Sequence, residues 1–213
     1  MPDAPAASTV FLVDDEAAVR EALSFLFESR GIAVLGFDGA AALLNWLDAH
    51  PGRRRGCFLL DVRMDGMSGL ALHDALISRK VRNPVLFLTG HGDVAMAVEA
   101  LKKGAFDFIE KPYSDNTLVD RVSQALAVDA AMGADETRGA EVQARLASLT
   151  PRERDVMLRV AAGKLNKIIA DELHVSMRTV EVARARVFSK LAVRSAAEVA
   201  TLLATYGKPA APH

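Results

Sequence analysis

Residues with reactive side chains follow several short apolar segments of this sequence, at the points where buried strands would end. The segments are residues 10–13, 57–60, 84–88 and 106–109. The residues that follow them are Asp14, Asp15, Asp61, Thr89 and Lys111. Because the carboxyl ends of parallel strands meet at one edge of an open sheet, we expect these side chains to lie close together.

This set of side chains predicts phosphoryl transfer to a carboxylate. Two acids after one strand and a third after another supply the oxygen donors that a hard ion such as Mg²⁺ prefers. Asp61 would attack phosphorus as a nucleophile and form an aspartyl phosphate. Lys111 would pair with one phosphoryl oxygen, and the hydroxyl of Thr89 would donate a hydrogen bond to another.

The elements that must position these residues alternate along the first part of the chain. Strand-like segments lie near 9–13, 32–37, 56–60, 84–89 and 106–109, and helical patterns lie near 17–29, 40–49, 69–79, 94–103 and 114–128. Helix boundaries are predicted at the N-cap residues Ser68, Asp93 and Ser114 and at the C-terminal glycines Gly31 and Gly104. Five such alternations predict an α/β domain built around a parallel sheet.

The rest of the chain predicts a second, smaller, all-α domain. Residues 129–147 are small and polar, and we predict a linker there with some helical character. A capping box with proline at the first helical position follows at Thr150-Pro151-Arg152-Glu153. Further helices are expected near 151–162, 166–173, 177–190 and 195–205.

Residues 166–173 and 177–190 have the spacing of a helix-turn-helix motif. Val180, Val187 and Leu191 share one stripe of the second helix, which we expect to face the core. The opposite face carries Arg178, Val182, Ala185 and Ser189, flanked by Glu181 and Arg186. Small and charged side chains suit a helix that approaches base edges and reaches phosphates from its margins.

Charge is divided unevenly between the two parts. Residues 1–147 carry 15 basic and 21 acidic side chains, a net charge of −6, whereas residues 148–213 carry 11 and 6, a net charge of +5. A basic second domain indicates a polyanionic partner.

Composition excludes several other classes of protein. With 213 residues and 51% hydrophobic content, the chain has room for two ordinary globular domains. The amino terminus lacks the features of a signal peptide, and no stretch approaches the roughly 18 apolar residues of a membrane span. We therefore expect a cytoplasmic protein with no membrane partner. Cys57 is the only cysteine and lies in an apolar segment, so we predict a buried structural thiol.

Residues 9–128 resemble the receiver domain of two-component response regulators. The resemblance rests on Asp14, Asp15, Asp61, Thr89 and Lys111-Pro112, and on segments 90–98 and 104–112, which are similar to the FixJ subfamily. It implies a doubly wound, flavodoxin-like, five-stranded parallel sheet. It also implies phosphorylation of Asp61 by a sensor histidine kinase.

Further roles follow from the same resemblance. The Mg²⁺ ligands would be Asp14, Asp15, Asp61 and the backbone carbonyl of Arg63. Thr89 and Phe108 would couple phosphorylation to rearrangement of the face formed by the fourth helix, fifth strand and fifth helix. That face would then form a homodimer.

Asp65 is a departure from the receiver pattern, which usually has proline four residues after the phosphoacceptor. Replacing proline loosens the turn and adds a carboxylate near the metal loop. We predict altered metal affinity or phosphoryl lifetime, with an inert, surface-pointing Asp65 as the alternative.

Segments 149–156, 166–170, 178–182 and 190–191 resemble the LuxR-type DNA-binding domain of the FixJ/NarL class. By position, Glu181, Val182 and Ala185 would face bases. Lys167, Thr179 and Arg186 would hold phosphates, and Arg178 would do either. The implied partners are double-stranded promoter DNA and RNA polymerase. His174 stands where this family commonly has glycine.

The sequence thus predicts a DNA-binding transcriptional response regulator, with a receiver at 1–128, a linker at 129–147 and a helix-turn-helix domain at 148–213. We expect no turnover beyond self-phosphorylation from small phosphodonors and slow self-dephosphorylation. Two alternatives stay open. One is a constitutive DNA-binding regulator whose receiver only dimerises. The other is a metal-dependent phosphatase with an aspartate nucleophile, whose pattern has a second acid where this chain has Arg63.

Overall fold

Two compact units make up the protein, one ending at Gly133 and the other beginning at Ala134. The structure is a computed structural model, and it describes residues 8–90 and 94–207.

The first unit alternates strands and helices, as the apolar segments predict. Its strands are β1 (Thr9–Val13), β2 (Ala33–Phe37), β3 (Gly56–Asp61), β4 (Val85–Thr89) and β5 (Asp107–Glu110). Its helices are α1 (Ala17–Ser29), α2 (Ala40–Ala49), α3 (Gly69–Ser78), α4 (Val94–Lys102) and α5 (Asp115–Ala147), the last of which continues into the second unit. Apart from the end of α5, the sequence-based boundaries agree within one residue.

The five strands form one parallel sheet in the order β2-β1-β3-β4-β5. Leu59 of β3 lies beside Leu12 of β1 and Leu86 of β4. The strand order reverses between β1 and β3, which is the topological switch point of a doubly wound fold. The predicted fold class is therefore confirmed, and the carboxyl ends of β1 and β3 are neighbours.

Helices cover both faces of this sheet, so successive strand residues are buried on opposite sides. Phe58 and Leu60 pack in one core with Leu43 of α2 and Leu72 of α3. Cys57 and Leu59 pack in the other core with Phe27 of α1 and Leu118 of α5. A strand that is buried on both faces needs an unbroken apolar sequence. Burial raises the pKa of the Cys57 thiol to about 12, as suits a structural cysteine.

The predicted helix boundaries are formed by local hydrogen bonds and backbone geometry. The Ser68 hydroxyl accepts a bond from Ala71 N at 3.3 Å, and the Ser114 hydroxyl accepts one from Thr117 N at 3.2 Å. Gly31 and Gly104 have φ values of 74° and 93°, in the left-handed region that glycine adopts at low cost. The third predicted N-cap, Asp93, lies outside the described residues.

Residues 129–147, predicted as a linker from their small polar composition, are helical throughout. Their alanines, glutamates and arginines favour a helix, and they outweigh two glycines that cost about 1 kcal/mol each. Asp129 is buried in the first unit, whereas Val142 and Leu146 are buried in the core of the second.

Asp129 forms a buried hydrogen-bond cluster at the amino-terminal edge of the sheet. Its Oδ2 accepts a bond from Gly56 N at 2.9 Å, at the start of β3. Its Oδ1 accepts bonds from Arg53 Nη2 at 3.0 Å and from Asn83 Nδ2 at 3.2 Å. The cluster fixes α5 to the sheet at this edge.

The second unit is helical within the described residues up to Gly207. Beyond the end of α5, its helices are α6 (Pro151–Ala161), α7 (Asn166–Glu172), α8 (Met177–Leu191) and α9 (Ala196–Tyr206). The predicted capping box is present: Thr150 Oγ1 accepts a bond from Glu153 N, and the Glu153 carboxylate accepts one from Thr150 N. Val180, Val187 and Leu191 are buried, which confirms the predicted core stripe of α8.

Across residues 8–90 and 94–207, no helix combines the length and the apolar content needed to cross a membrane.

Candidate functional site

The ends of three neighbouring strands form the candidate site at the carboxyl edge of the sheet. Asp14 follows β1, Asp61 ends β3 and Thr89 ends β4, so the β1-β3-β4 strand order places them side by side. Lys111 follows β5, and its backbone N–H donates to Thr89 O at 2.7 Å. The sheet itself thus assembles residues that are up to 97 positions apart in sequence.

Lys111 and Asp61 are in direct contact. Lys111 Nζ donates to Asp61 Oδ1 at 2.6 Å and lies 3.7 Å from Asp14 Oδ2. Burial alone would lower the pKa of Lys111, but the bond to Asp61 and the charges of both carboxylates outweigh it and raise that pKa. Lys111 therefore stays a cation beside the two acids.

Asp14 is the more deeply buried of the two acids. Its side chain lies at the base of the site, with the residue only 1% exposed, and burial raises its pKa. Oδ1 accepts a bond from Glu16 N at 2.9 Å, whereas the buried Oδ2 has no hydrogen-bond partner among residues 8–90 and 94–207. A buried oxygen of this kind is costly unless a cation or donor satisfies it.

Backbone groups hold Asp61 and the loop after it. Asp61 Oδ2 accepts a bond from Arg63 N at 2.7 Å, which turns the chain directly after β3. The loop returns so closely that a Cβ at Gly69 would lie 2.1 Å from Asp61 O. Only glycine allows this approach. Asp61 is 7% exposed, so its carboxylate is fixed yet reachable from outside.

Asp15 does not join Asp14 and Asp61 in this structure. Its Oδ2 instead accepts a bond from the backbone N–H of Asp65 at 2.8 Å. Within the described residues, no group of three acidic, histidine or cysteine side chains is close enough to share a metal ion. The donor types nevertheless suit Mg²⁺, and Asp14 Oδ2, which has an ionic contact with Lys111 but no hydrogen bond among the described residues, could accept the ion.

The two predicted switch residues lie beside the site. The Thr89 hydroxyl donates to Gly90 O at 3.1 Å, and the residue is 2% exposed. Phe108 is half-buried, with its ring centroid 6.2 Å from that of Phe87. Thr89 ends β4, and Phe108 lies on the adjacent strand β5, in register with Phe87 in the middle of β4.

Sequence reasoning missed Arg20, which also reaches the site. Its Nη1 donates to Asp14 O at 2.8 Å from the first turns of α1. The pattern held no signal for this bond, because an arginine on an exposed helix is ordinarily a solvated residue.

The predicted DNA-binding residues lie on two helices of the second unit: Lys167 on α7 and the others on α8. Arg178, Val182, Ala185 and Ser189 are exposed, as predicted for the face opposite the core. Lys167, Thr179, Glu181 and Arg186 are exposed as well. Val182 leaves 45% of its surface in solvent, which is high for an apolar residue.

The two helices of the motif are tied together by contacts that the sequence did not predict. Arg184 Nη1 on α8 donates to Asn166 Oδ1 at the start of α7, at 3.0 Å, and its guanidinium stacks over the Phe188 ring at 5.1 Å. His174 in the turn has a φ of 51°, which explains why glycine suits this position.

Comparisons with known proteins agree with both halves of this description. The family model for the response regulator receiver domain matches residues 10–123, and the model for bacterial regulatory proteins of the LuxR family matches residues 147–203. This chain belongs to the response regulators that carry a LuxR-type DNA-binding domain. As a member of that family, it is a transcriptional regulator of a two-component system.

Relatives of the regulator match it over nearly its whole length. The transcriptional regulatory protein FixJ of Bradyrhizobium diazoefficiens is 43% identical over 91% of this chain and 93% of its own. The C4-dicarboxylate transport transcriptional regulatory protein DctR of Rhodobacter capsulatus is 48% identical over 91% of this chain and 98% of its own. The solved structure of the response regulator StyR superposes with a TM-score of 0.84 at 38% identity, over 94% of this chain and 100% of that one.

Proposed function

We propose that Asp61 is the phosphoacceptor of this regulator. The contact between Lys111 Nζ and Asp61 Oδ1, at 2.6 Å and beside Asp14, carries the proposal. A lysine placed on one oxygen of a nearly buried carboxylate can remain to neutralise a phosphoryl group added there. An inert acid at a strand end would have no need of a charged partner from another strand.

In the proposed reaction, an oxygen of Asp61 attacks phosphorus and forms a new P–O bond. The bond to the leaving group breaks, releasing the imidazole nitrogen of a sensor histidine kinase or the acetate of acetyl phosphate. The ammonium group of Lys111 would exchange its contact with the Asp61 carboxylate for one with a phosphoryl oxygen. Water would later attack the aspartyl phosphate, which gives self-phosphorylation from small donors and slow self-dephosphorylation.

Asp14, Asp15, Asp61 and the backbone carbonyl of Arg63 are the proposed holders of Mg²⁺. The ion would screen the negative charges that phosphoryl transfer brings together. Asp14 offers its unsatisfied Oδ2 directly. Asp15 would first have to release the N–H of Asp65.

Thr89 and Phe108 are the proposed switch residues. The Thr89 hydroxyl would leave Gly90 O and donate to the phosphoryl group, since a charged acceptor forms the stronger bond. Phe108 on the adjacent strand would then repack. The change would favour a homodimer through the face of α4, β5 and α5, as a shift between two pre-existing states.

The proposed output is binding to double-stranded promoter DNA. In this proposal residues 1–128 receive the signal, 129–147 connect, and 148–213 bind DNA. Glu181, Val182 and Ala185 would face bases, Lys167, Thr179 and Arg186 would hold phosphates, and Arg178 would do either. RNA polymerase would be the partner at the promoter. In this proposal the protein acts in the cytoplasm, because both the kinase and the DNA are reached from there.

Labelling with radioactive acetyl phosphate tests the proposal. We expect Mg²⁺-dependent incorporation of about one phosphoryl group per wild-type chain, none in Asp61→Asn, and normal labelling in the matched control Asp135→Asn, which changes an exposed acid away from the site. Dimerisation is measured on the same samples. No incorporation into wild type would support the constitutive regulator instead. Rapid multiple turnover of the donor would support the phosphatase.

A further inference from the structure

A surface groove in the second unit carries three arginines on two helices. It has a volume of about 450 Å³ and lies between the start of α6 and the first ten residues of α8. Arg178 and Arg186 line it from α8, and Arg152 lines it from α6. Arg152 lies on α6, outside the two helices of the helix-turn-helix motif.

These three arginines differ in their ion pairing from several nearby basic residues of the described chain. All three are exposed, and in the part of the chain that the structure describes none lies within 4 Å of a carboxylate oxygen. In contrast, Arg159 and Lys164 both pair with Glu172, and Lys190 pairs with Glu153. Three exposed arginines that form no ion pair among the described residues therefore line one groove.

The acid that lines the groove does not neutralise it. Glu153 accepts bonds from Thr150 N at 2.9 Å and from Lys190 Nζ at 2.6 Å, and its side chain is only 8% exposed. The bond from Lys190 lowers the pKa of Glu153, so the carboxylate is ionised and already compensated. The groove thus presents uncompensated positive charge to solvent.

We infer that this groove binds the sugar-phosphate backbone of duplex DNA and that Arg152 supplies one phosphate contact from α6. The inference rests on the proposed DNA-binding function and extends its contact surface beyond the two helices of the motif. A guanidinium is always charged and presents a planar fork that matches a phosphate. When α8 lies in the major groove of DNA, residues at the margins of the helix contact the flanking phosphate backbone. Arg152 lines the same protein surface groove as Arg178 and Arg186, so we expect it to reach that backbone too.

The test measures binding of the full chain to a mixed-sequence duplex as a function of salt. For Arg152→Ala we expect the slope of log affinity against log salt to flatten by about 0.9, with affinity about fivefold lower at 0.15 M salt. Arg145→Ala is the matched control, because it removes an exposed arginine outside the groove. Arg152→Lys keeps the charge and should restore the slope.

The outcomes separate this inference from the proposed function. If wild type binds the duplex and Arg152→Ala has the slope of Arg145→Ala, the Arg152 contact is wrong while DNA binding stands. If wild type binds no duplex at any salt concentration, the proposed function fails as well. Inorganic phosphate at constant ionic strength that displaces DNA from wild type but not from Arg152→Ala would assign the groove to a small anion and overturn the backbone contact.

Discussion

The backbone N–H of Asp65 should weaken Mg²⁺ binding to this regulator, because it holds the carboxylate of Asp15, which is a proposed ligand of the ion. The bond from Asp65 N to Asp15 Oδ2 is 2.8 Å long. Proline has no N–H, so Asp65→Pro deletes the bond and leaves Asp15 free. Asp65 does not have a positive φ, which proline could not adopt.

A hydrogen bond to a charged group contributes about 1.5–3 kcal/mol, and an exposed one belongs at the lower end. Breaking it before the ion binds would cost about 1.5 kcal/mol, which corresponds to about tenfold in affinity. The carboxylate of Asp65 also attracts the ion, and proline removes it too. Asp65→Ala is therefore the matched control, since it loses the carboxylate and keeps the N–H.

Isothermal titration calorimetry with MgCl₂ measures the difference. We expect Asp65→Pro to bind Mg²⁺ about tenfold more tightly than Asp65→Ala. Equal affinities of the two variants would refute the reasoning, because they differ chiefly in the donor to Asp15. Equal affinities of all three proteins would show that Asp65 is inert toward the ion.

Three further predictions concern charged groups. Because burial raises the pKa of Asp14, its ionised form destabilises the fold above that pKa. The free energy of unfolding of Asp14→Asn should therefore be about 1 kcal/mol higher than that of wild type at neutral pH. Mg²⁺ should raise the melting temperature of wild type but not that of Asp14→Asn. Asp129→Ala should lose about 2–3 kcal/mol in urea unfolding, since Gly56 N would be buried without an acceptor, whereas exposed Asp135→Ala should match wild type. The bond from Lys190 lowers the pKa of Glu153. The stabilisation from this bond is therefore present above the pKa of Glu153 in the unfolded chain and is lost as the pH falls through its pKa in the folded protein. From about pH 5 to 3, the melting temperature should fall more steeply for wild type than for Glu153→Gln, and parallel curves would contradict this.

Sequence patterns predicted most of the fold because local chemistry and packing agree in this chain. Ser68, Thr150 and Ser176 cap the helices that they precede, and each cap is visible in sequence. Apolar segments that are buried on both faces predicted the parallel sheet. Its carboxyl edge then had to bring Asp61 and Lys111 near each other, and the structure places them in contact.

What sequence could not predict depends on partners that are distant along the chain. Asp129 seemed to begin a linker because its partners, Arg53, Gly56 and Asn83, lie 46 to 76 residues away. The sequence indicated an effect of the Asp65 carboxylate on the metal loop, whereas in the structure the backbone N–H of Asp65 donates to Asp15. The sequence gives the side chains directly, but the partners of backbone N–H groups in a loop depend on the folded conformation.

The Asp129 cluster has a mechanical consequence for the fifth helix. From Asp115 to Asp129 the helix runs about 20 Å, and the cluster at its far end joins it to the start of β3. Sliding this rod along its axis would break three hydrogen bonds together. Asp129 therefore fixes the position of α5 along its own axis relative to the start of β3.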